Sequence, residues 1–207
     1  GVQTCALPIS MRHRLQAAGI TSHFIIQPLF DYLGASVTPA RFSTQINFAG
    51  TFQKSPWLQT YRAAPITLFG AKPKKWRAVD FPENIAYQGN FDPDEIINQL
   101  TQGFGLIWDD DFDDKTYQTY TKYNAPHKAS LYLRAGLPLI AWSESAIGQL
   151  ITTHNLGFTI NHLSELTDKL ARVSTVDFST WQANGAVIAE KLQQGLYTKA
   201  TLTTLTT

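Results

Sequence analysis

Between residues 45 and 160, short apolar runs alternate with stretches whose apolar positions recur at helical spacing. QINFAG (45–50), PITLFG (65–70), IAYQG (85–89), FGLIWD (104–109), LPLIAW (137–142) and GFTI (157–160) read as strands. The first three end on Gly50, Gly70 and Gly89. The intervening segments carry helix signals. SPWLQTYRAA (55–64) offers Ser55 as N-cap and Pro56 at N1. In DPDEIINQLTQ, Asp92 and Glu95 form a capping box around Pro93. NAPHKASLYLRAG (124–136) predicts a helix with Pro126 at N1 and Gly136 at its C-terminal cap. SAIGQLITTHN predicts another helix, and a long one is expected over 178–197. This alternation predicts an α/β fold, a Rossmann-like parallel sheet with helices on both faces. Ligands of such sheets bind beyond the carboxyl ends of the strands. Gly50, Gly70, Gly89, Asp109 and Trp142 stand at those ends.

The flanks read differently. Residues 10–37 supply one helix, stopped by Gly19, and one strand (HFIIQPLF), too little to bury a core alone. They are expected to be the remnant of a preceding α/β domain, joined through a linker over 38–44 to a domain spanning 45–177. The helix over 178–197 follows, and TKATLTTLTT (198–207) is expected to fray. The opening GVQTCALPI back-translates as GGA GTT CAG ACG TGT GCT CTT CCG ATC. That matches an adapter oligonucleotide used in short-read sequencing. Residues 1–9 are therefore read as foreign, and an upstream portion of the gene is expected to be missing. Setting Cys5 aside leaves no cysteine, a composition suited to the cytoplasm.

Composition narrows the function classes. A hydrophobic content of 43% with 16% charged residues describes a chain that folds. A formal net charge of +1 without a clustered basic stripe argues against nucleic acid as a partner. No run approaches a membrane span. The acidic loop WDDDFDDK fails as a calcium loop, because Asp114 stands at position 6 and Tyr120 at position 12 counted from Asp109. It is read as a solvated loop, and no metal site is expected. There is no GxGxxG fingerprint, so nothing argues for a nicotinamide cofactor.

INFAGTFQKSPWL, IAYQGNFDPDEI, GFGLIWDDD and YNAPHKASLYLRAGLPLIAW with HNLGFTI together resemble a family of bacterial glycosyltransferases. It is the family of glucosyltransferases and beta-1,6-galactofuranosyltransferases found with exopolysaccharide and adhesin-glycosylation genes. The resemblance covers about residues 10–197 and implies the C-terminal half of a GT-B fold, two Rossmann-like domains facing a cleft. It further implies a UDP-sugar donor, a saccharide or glycopeptide acceptor, no cofactor, and a final helix that returns to the N-terminal domain. Self-association is left open. A nucleotide-sugar epimerase and a non-catalytic partner of a transferase are the alternatives.

Within that frame the NAPHK segment carries the clearest chemistry. Lys128 would lie in the first turn of a helix, where free backbone N–H groups and the helix dipole favour an anion. Its ammonium adds a point charge suited to phosphate. His127 is a second candidate for the diphosphate, and Asn124 and Pro126 of the same turn join the nucleotide- or sugar-binding set. Lys54 and Ser55, after the first strand, offer another phosphate contact. Gly50, Gly70 and Gly89 would let the nucleotide approach the backbone, and Asp109 would accept from sugar hydroxyls. One departure stands out. Many GT-B enzymes place two glutamates around this helix, whereas Tyr123 and Leu131 occupy those positions here. The catalytic base is expected on the N-terminal domain, so none is nominated.

Overall fold

The computed structural model describes residues 4–76, 78 and 80–206. Its centre is a six-stranded, wholly parallel sheet built from β3 (Arg41–Ala49), β4 (Ile66–Phe69), β5 (Ile85–Tyr87), β6 (Gln102–Ile107), β7 (Leu139–Trp142) and β8 (Gly157–Ile160), in the order β5-β4-β3-β6-β7-β8. All six expected strands are present within a few residues of their expected bounds. β3 starts at Arg41, so the last residues of the expected 38–44 linker are already in the sheet. The chain runs outward from β3 to β5 and returns to β6 on the other side of β3. Strand order therefore reverses between β3 and β6, and a crevice opens at their carboxyl ends.

Period-two alternation sorts each strand between two cores. Ile46, Phe48, Leu68, Phe104, Leu106 and Ile140 face one side. Ala49, Phe69, Ile107, Leu139 and Ala141 face the other. The first side is covered by turns carrying Trp57, Leu58 and Tyr61 and by a helix with Leu166 and Leu170. The second is covered by helices carrying Leu131, Leu133, Ile147 and Ile151. Each fully buried leucine, isoleucine or phenylalanine contributes about 1.5–3 kcal/mol, so neither layer is dispensable.

The helices in chain order are α1 (Ile9–Ala17), α2 (Pro93–Ile96), α3 (Tyr117–Tyr120), α4 (His127–Arg134), α5 (Ala146–His154), α6 (Leu166–Ala171), α7 (Thr175–Gln193) and α8 (Leu196–Thr206). Ser145 caps α5 by accepting from the Gly148 N–H at 2.9 Å. Ser174 and Asp177 form a capping box on α7.

Several expectations are corrected. Residues 55–64 do not form an α-helix: a short 3₁₀ turn, Pro56–Gln59, stands there instead, preceded by another at Phe52–Lys54. The tighter turns carry Phe52, Trp57 and Leu58 into the core, and Tyr61 follows them there. Asp92 makes no side-chain cap, and α2 is a single turn. The end expected to fray is α8, whose Thr201 is buried and whose first turn is capped by Asp31, accepting from the Thr198 N–H at 2.7 Å.

α8 also contacts β2 (His23–Ile26), which pairs in parallel with β1 (Thr4–Leu7), so the C-terminal helix packs on the segment preceding the main sheet. No helix among the described residues is long and apolar enough to cross a membrane.

Candidate functional site

The crevice between the ends of β3 and β6 is held by one phenol. Tyr132, fully buried in α4, accepts from the Ala49 N–H at 2.7 Å and donates to the Leu106 carbonyl at 3.3 Å. A single hydroxyl thus joins the last residue of β3 to β6. Burial pushes the Tyr132 hydroxyl well above the ordinary tyrosine range, so it stays a neutral donor. The ring reaches this place because Gly105 has no side chain: a Cβ there would lie 2.3 Å from ring atoms of Tyr132.

On one side of the crevice the strand ends are bare backbone. Gly50 and Gly70 both have positive φ, 141° and 148°. The Gly50 N–H donates to the Phe69 carbonyl at 2.9 Å and the Gly70 N–H to the Gly89 carbonyl at 2.7 Å. A Cβ on Gly70 would sit 1.8 Å from the Gly50 oxygen. The expected glycine set is therefore one connected row along three adjacent strands.

On the other side stand charged side chains. Lys128 leaves α4, whose neighbours belong to one core, and its ammonium lies 4.3 Å from the ring centre of Phe48, which belongs to the other. The lysine thus spans the carboxyl edge of the sheet. Lys54 sits with its ammonium 5.1 Å from the ring centre of Tyr117 on α3. Asp109, immediately beyond β6, feels both cations. Burial raises its carboxyl above the usual range, while Lys128 and Lys54 pull it back down. Burial lowers the Lys128 ammonium, Asp109 opposes that shift, and Lys54 adds to it. Two cations and one carboxylate from three separate elements thus meet at the switch point.

Beside Lys128 a cleft of about 270 Å³ opens against the glycine row. Gly50, Gly70, His127 and Lys128 all line it, so four of the candidates from sequence are brought together. Asp109 and Lys54 border the same charge cluster without lining the cleft. The His127 ring is stacked on Phe30, with centres 4.5 Å apart and planes 16° apart. Its backbone N–H, in the first turn of α4, is what it offers an anion. Pro126 is the N-cap rather than N1, which places His127 first in the helix and Lys128 second.

Gly89 stands one strand further out, and Asn124 does not line the cleft. The cap expected of Ser55 is a correction: it makes no side-chain cap, and its hydroxyl is buried with no hydrogen-bond partner among the described residues. The acidic loop is used locally. Asp110 accepts from the Trp108 indole N–H at 2.6 Å, and Asp111 caps α3 by accepting from the Gln118 and Thr119 N–H groups. Sequence reasoning missed Tyr132 and also Tyr32 and Phe91, both of which line the cleft. The only local sign was an excess of aromatics, which serves cores as readily as sites.

A wholly parallel sheet with this strand order, and a crevice at its reversal, is a Rossmann-like fold like the domains of GT-B glycosyltransferases. Among solved structures, HepE of Anabaena in complex with UDP and glucose superposes with a TM-score of 0.65 at 12% identity, over 99% of this chain and 62% of that one. T4 phage BGT in complex with its UDP-glucose substrate gives 0.54 at 12% identity, over 91% of this chain and 58% of that one. Residues 46–205 match the Glucosyltransferase 3-like, C-terminal domain, and the chain belongs to that family. Among its relatives, the beta-1,6-galactofuranosyltransferase WbbI of Escherichia coli K12 is 28% identical over 94% of this chain and 61% of its own length. Glucosyltransferase 3 of Streptococcus parasanguinis is 26% identical over 88% of this chain and 53% of its own length. The chain thus spans between half and two thirds of the relatives it matches.

Proposed function

We propose that this chain is the donor-binding domain of a cytoplasmic glycosyltransferase that moves a hexose from a UDP-sugar to a saccharide or glycopeptide acceptor. The observation that carries the reading is the convergence of Lys128, Lys54 and Asp109 at the switch point, beside the first turn of α4 and the bare backbone at Gly50. A diphosphate placed there meets two ammonium groups and free backbone N–H groups. Negative charge grows on the leaving nucleoside diphosphate as the glycosidic bond breaks, and fixed cations stabilise it in the transition state. Asp109 favours the charged form of Lys128 and presents oxygens to sugar hydroxyls. The names of the relatives, a galactofuranosyltransferase and a glucosyltransferase, and the UDP and UDP-glucose complexes of the structural neighbours support the same donor class.

Lys128→Ala is expected to weaken UDP and pyrophosphate binding at least about tenfold by calorimetry, the loss of one charge-assisted contact. Unchanged affinity for both would overturn the reading.

A further inference from the structure

Tyr32 lies outside the matched span of residues 46–205, yet it lines the cleft beside Lys128. Its segment is fastened at successive residues. Leu29 is buried in the core against α4. The Phe30 carbonyl accepts from the Ser130 hydroxyl at 2.5 Å, and the Phe30 ring stacks on His127. Asp31 caps α8. The Tyr32 carbonyl accepts from Arg134 Nε at 3.0 Å, and the Ala35 carbonyl from the same guanidinium at 2.8 Å. Across the cleft, the Tyr32 hydroxyl donates to the Pro93 carbonyl, tying this segment to the start of α2. The tyrosine is therefore a fixed wall, anchored at its backbone and at its hydroxyl.

The cleft has two chemically distinct ends. Lys128 and the first turn of α4 form a cationic end. Tyr32, Phe69, Phe91 and Ile96 form an apolar and largely aromatic end, with the exposed Asn90 at the rim. A hexose needs hydrogen-bond partners for several hydroxyls, of which this end offers the Asn90 amide, whereas Asp109 offers carboxylate oxygens near Lys128. A flat heterocycle with one polar edge needs stacking surface and a single amide. We infer that Tyr32 is a nucleoside-contacting residue, and that the uracil base of the donor lies against its ring with the diphosphate on Lys128. This rests on the donor class proposed above and adds that the base subsite is completed by a residue from outside the matched domain.

The test uses the full chain with UDP and pyrophosphate as probes. Tyr32→Leu is expected to weaken UDP binding about tenfold, the loss of one base–aromatic stack, and to leave pyrophosphate binding within about twofold. Tyr32→Phe keeps the ring and is expected to retain UDP affinity within about threefold. An equal loss for UDP and pyrophosphate, or no loss for UDP, would overturn the inference. Should Tyr32→Leu fail to fold, nuclear Overhauser contacts between the uracil H5 and H6 protons and the Tyr32 ring in the unaltered protein decide the matter. Their presence supports the contact and their absence overturns it. Lys128→Ala separates the two proposals, because it moves pyrophosphate binding whether or not Tyr32 touches the base.

Discussion

The carboxyl ends of β3, β4 and β5 and those of β6, β7 and β8 belong to one sheet but present opposite chemistry. The first half ends in a row of glycines whose peptide groups are their only offering. The second half ends in side chains: Asp109 after β6 and, at β7, Trp142 with the Lys122 ammonium 5.0 Å from its ring centre. Lys128, from the helix that follows β6, bridges the halves. A phosphate chain needs close backbone approach on one flank and countercharge on the other. The switch point is where a parallel sheet supplies both without strain.

The comparison breaks most severely at Gly70. Gly70→Ala forces a Cβ to within 1.8 Å of the Gly50 oxygen at a φ of +148°, and is expected to cost at least about 4 kcal/mol, read as a loss of the cooperative transition in chemical denaturation. Tyr132→Phe is expected to cost about 1–3 kcal/mol, because the Ala49 N–H loses its acceptor in a buried place. Amide exchange at Ala49 should accelerate in the same variant, since its N–H no longer has the Tyr132 oxygen as acceptor. Gly50→Ala sharpens the contrast within the glycine row. Its φ of +141° is strained for alanine, but no atom lies within 4 Å, so about 1–2 kcal/mol is expected. Equal losses at Gly50 and Gly70 would show that conformation, not contact, sets the row.

The smallest effect is a shift in pH dependence. Burial lowers the Lys128 pKa in the folded chain, so between that value and the ordinary lysine value of about 10.4 the unfolded chain binds more protons than the folded one. Stability from this group rises with pH across that window. On the proposed function UDP affinity is expected to move the other way, because the ammonium proposed to hold the diphosphate is lost as pH climbs through the lowered value. Calorimetry across alkaline pH should show affinity falling earlier than for an ordinary lysine. Lys128→Arg should move the fall to higher pH, and Asp109→Asn, by removing the countercharge, to lower pH.

Much of the fold was legible because its signals are local. Apolar runs closed by Gly50, Gly70 and Gly89 mark strand ends, and Gly136 marks the end of α4. The place of Lys128 in the first turn of α4 was legible too, because Pro126 marks that start. What remained hidden is non-local. Tyr132 acts on Ala49 and Leu106, 83 and 26 residues away. Tyr32 reaches Pro93 across 61. Ser55 misled for a related reason: its local pattern suits a cap, but Trp57 and Leu58 had to enter the core, and a 3₁₀ turn takes them there.

Gly105 and Tyr132 fill one space between them, the hydrogen of one accommodating the ring of the other. Any side chain at 105 requires a smaller residue at 132, and the smaller residue abandons Ala49 and Leu106 together. Gly105 cannot drift by a single step while Tyr132 stays. In a directed-evolution library the two should be encoded as one codon pair, because screening position 105 alone would report it as immutable while leaving the workable combinations unsampled.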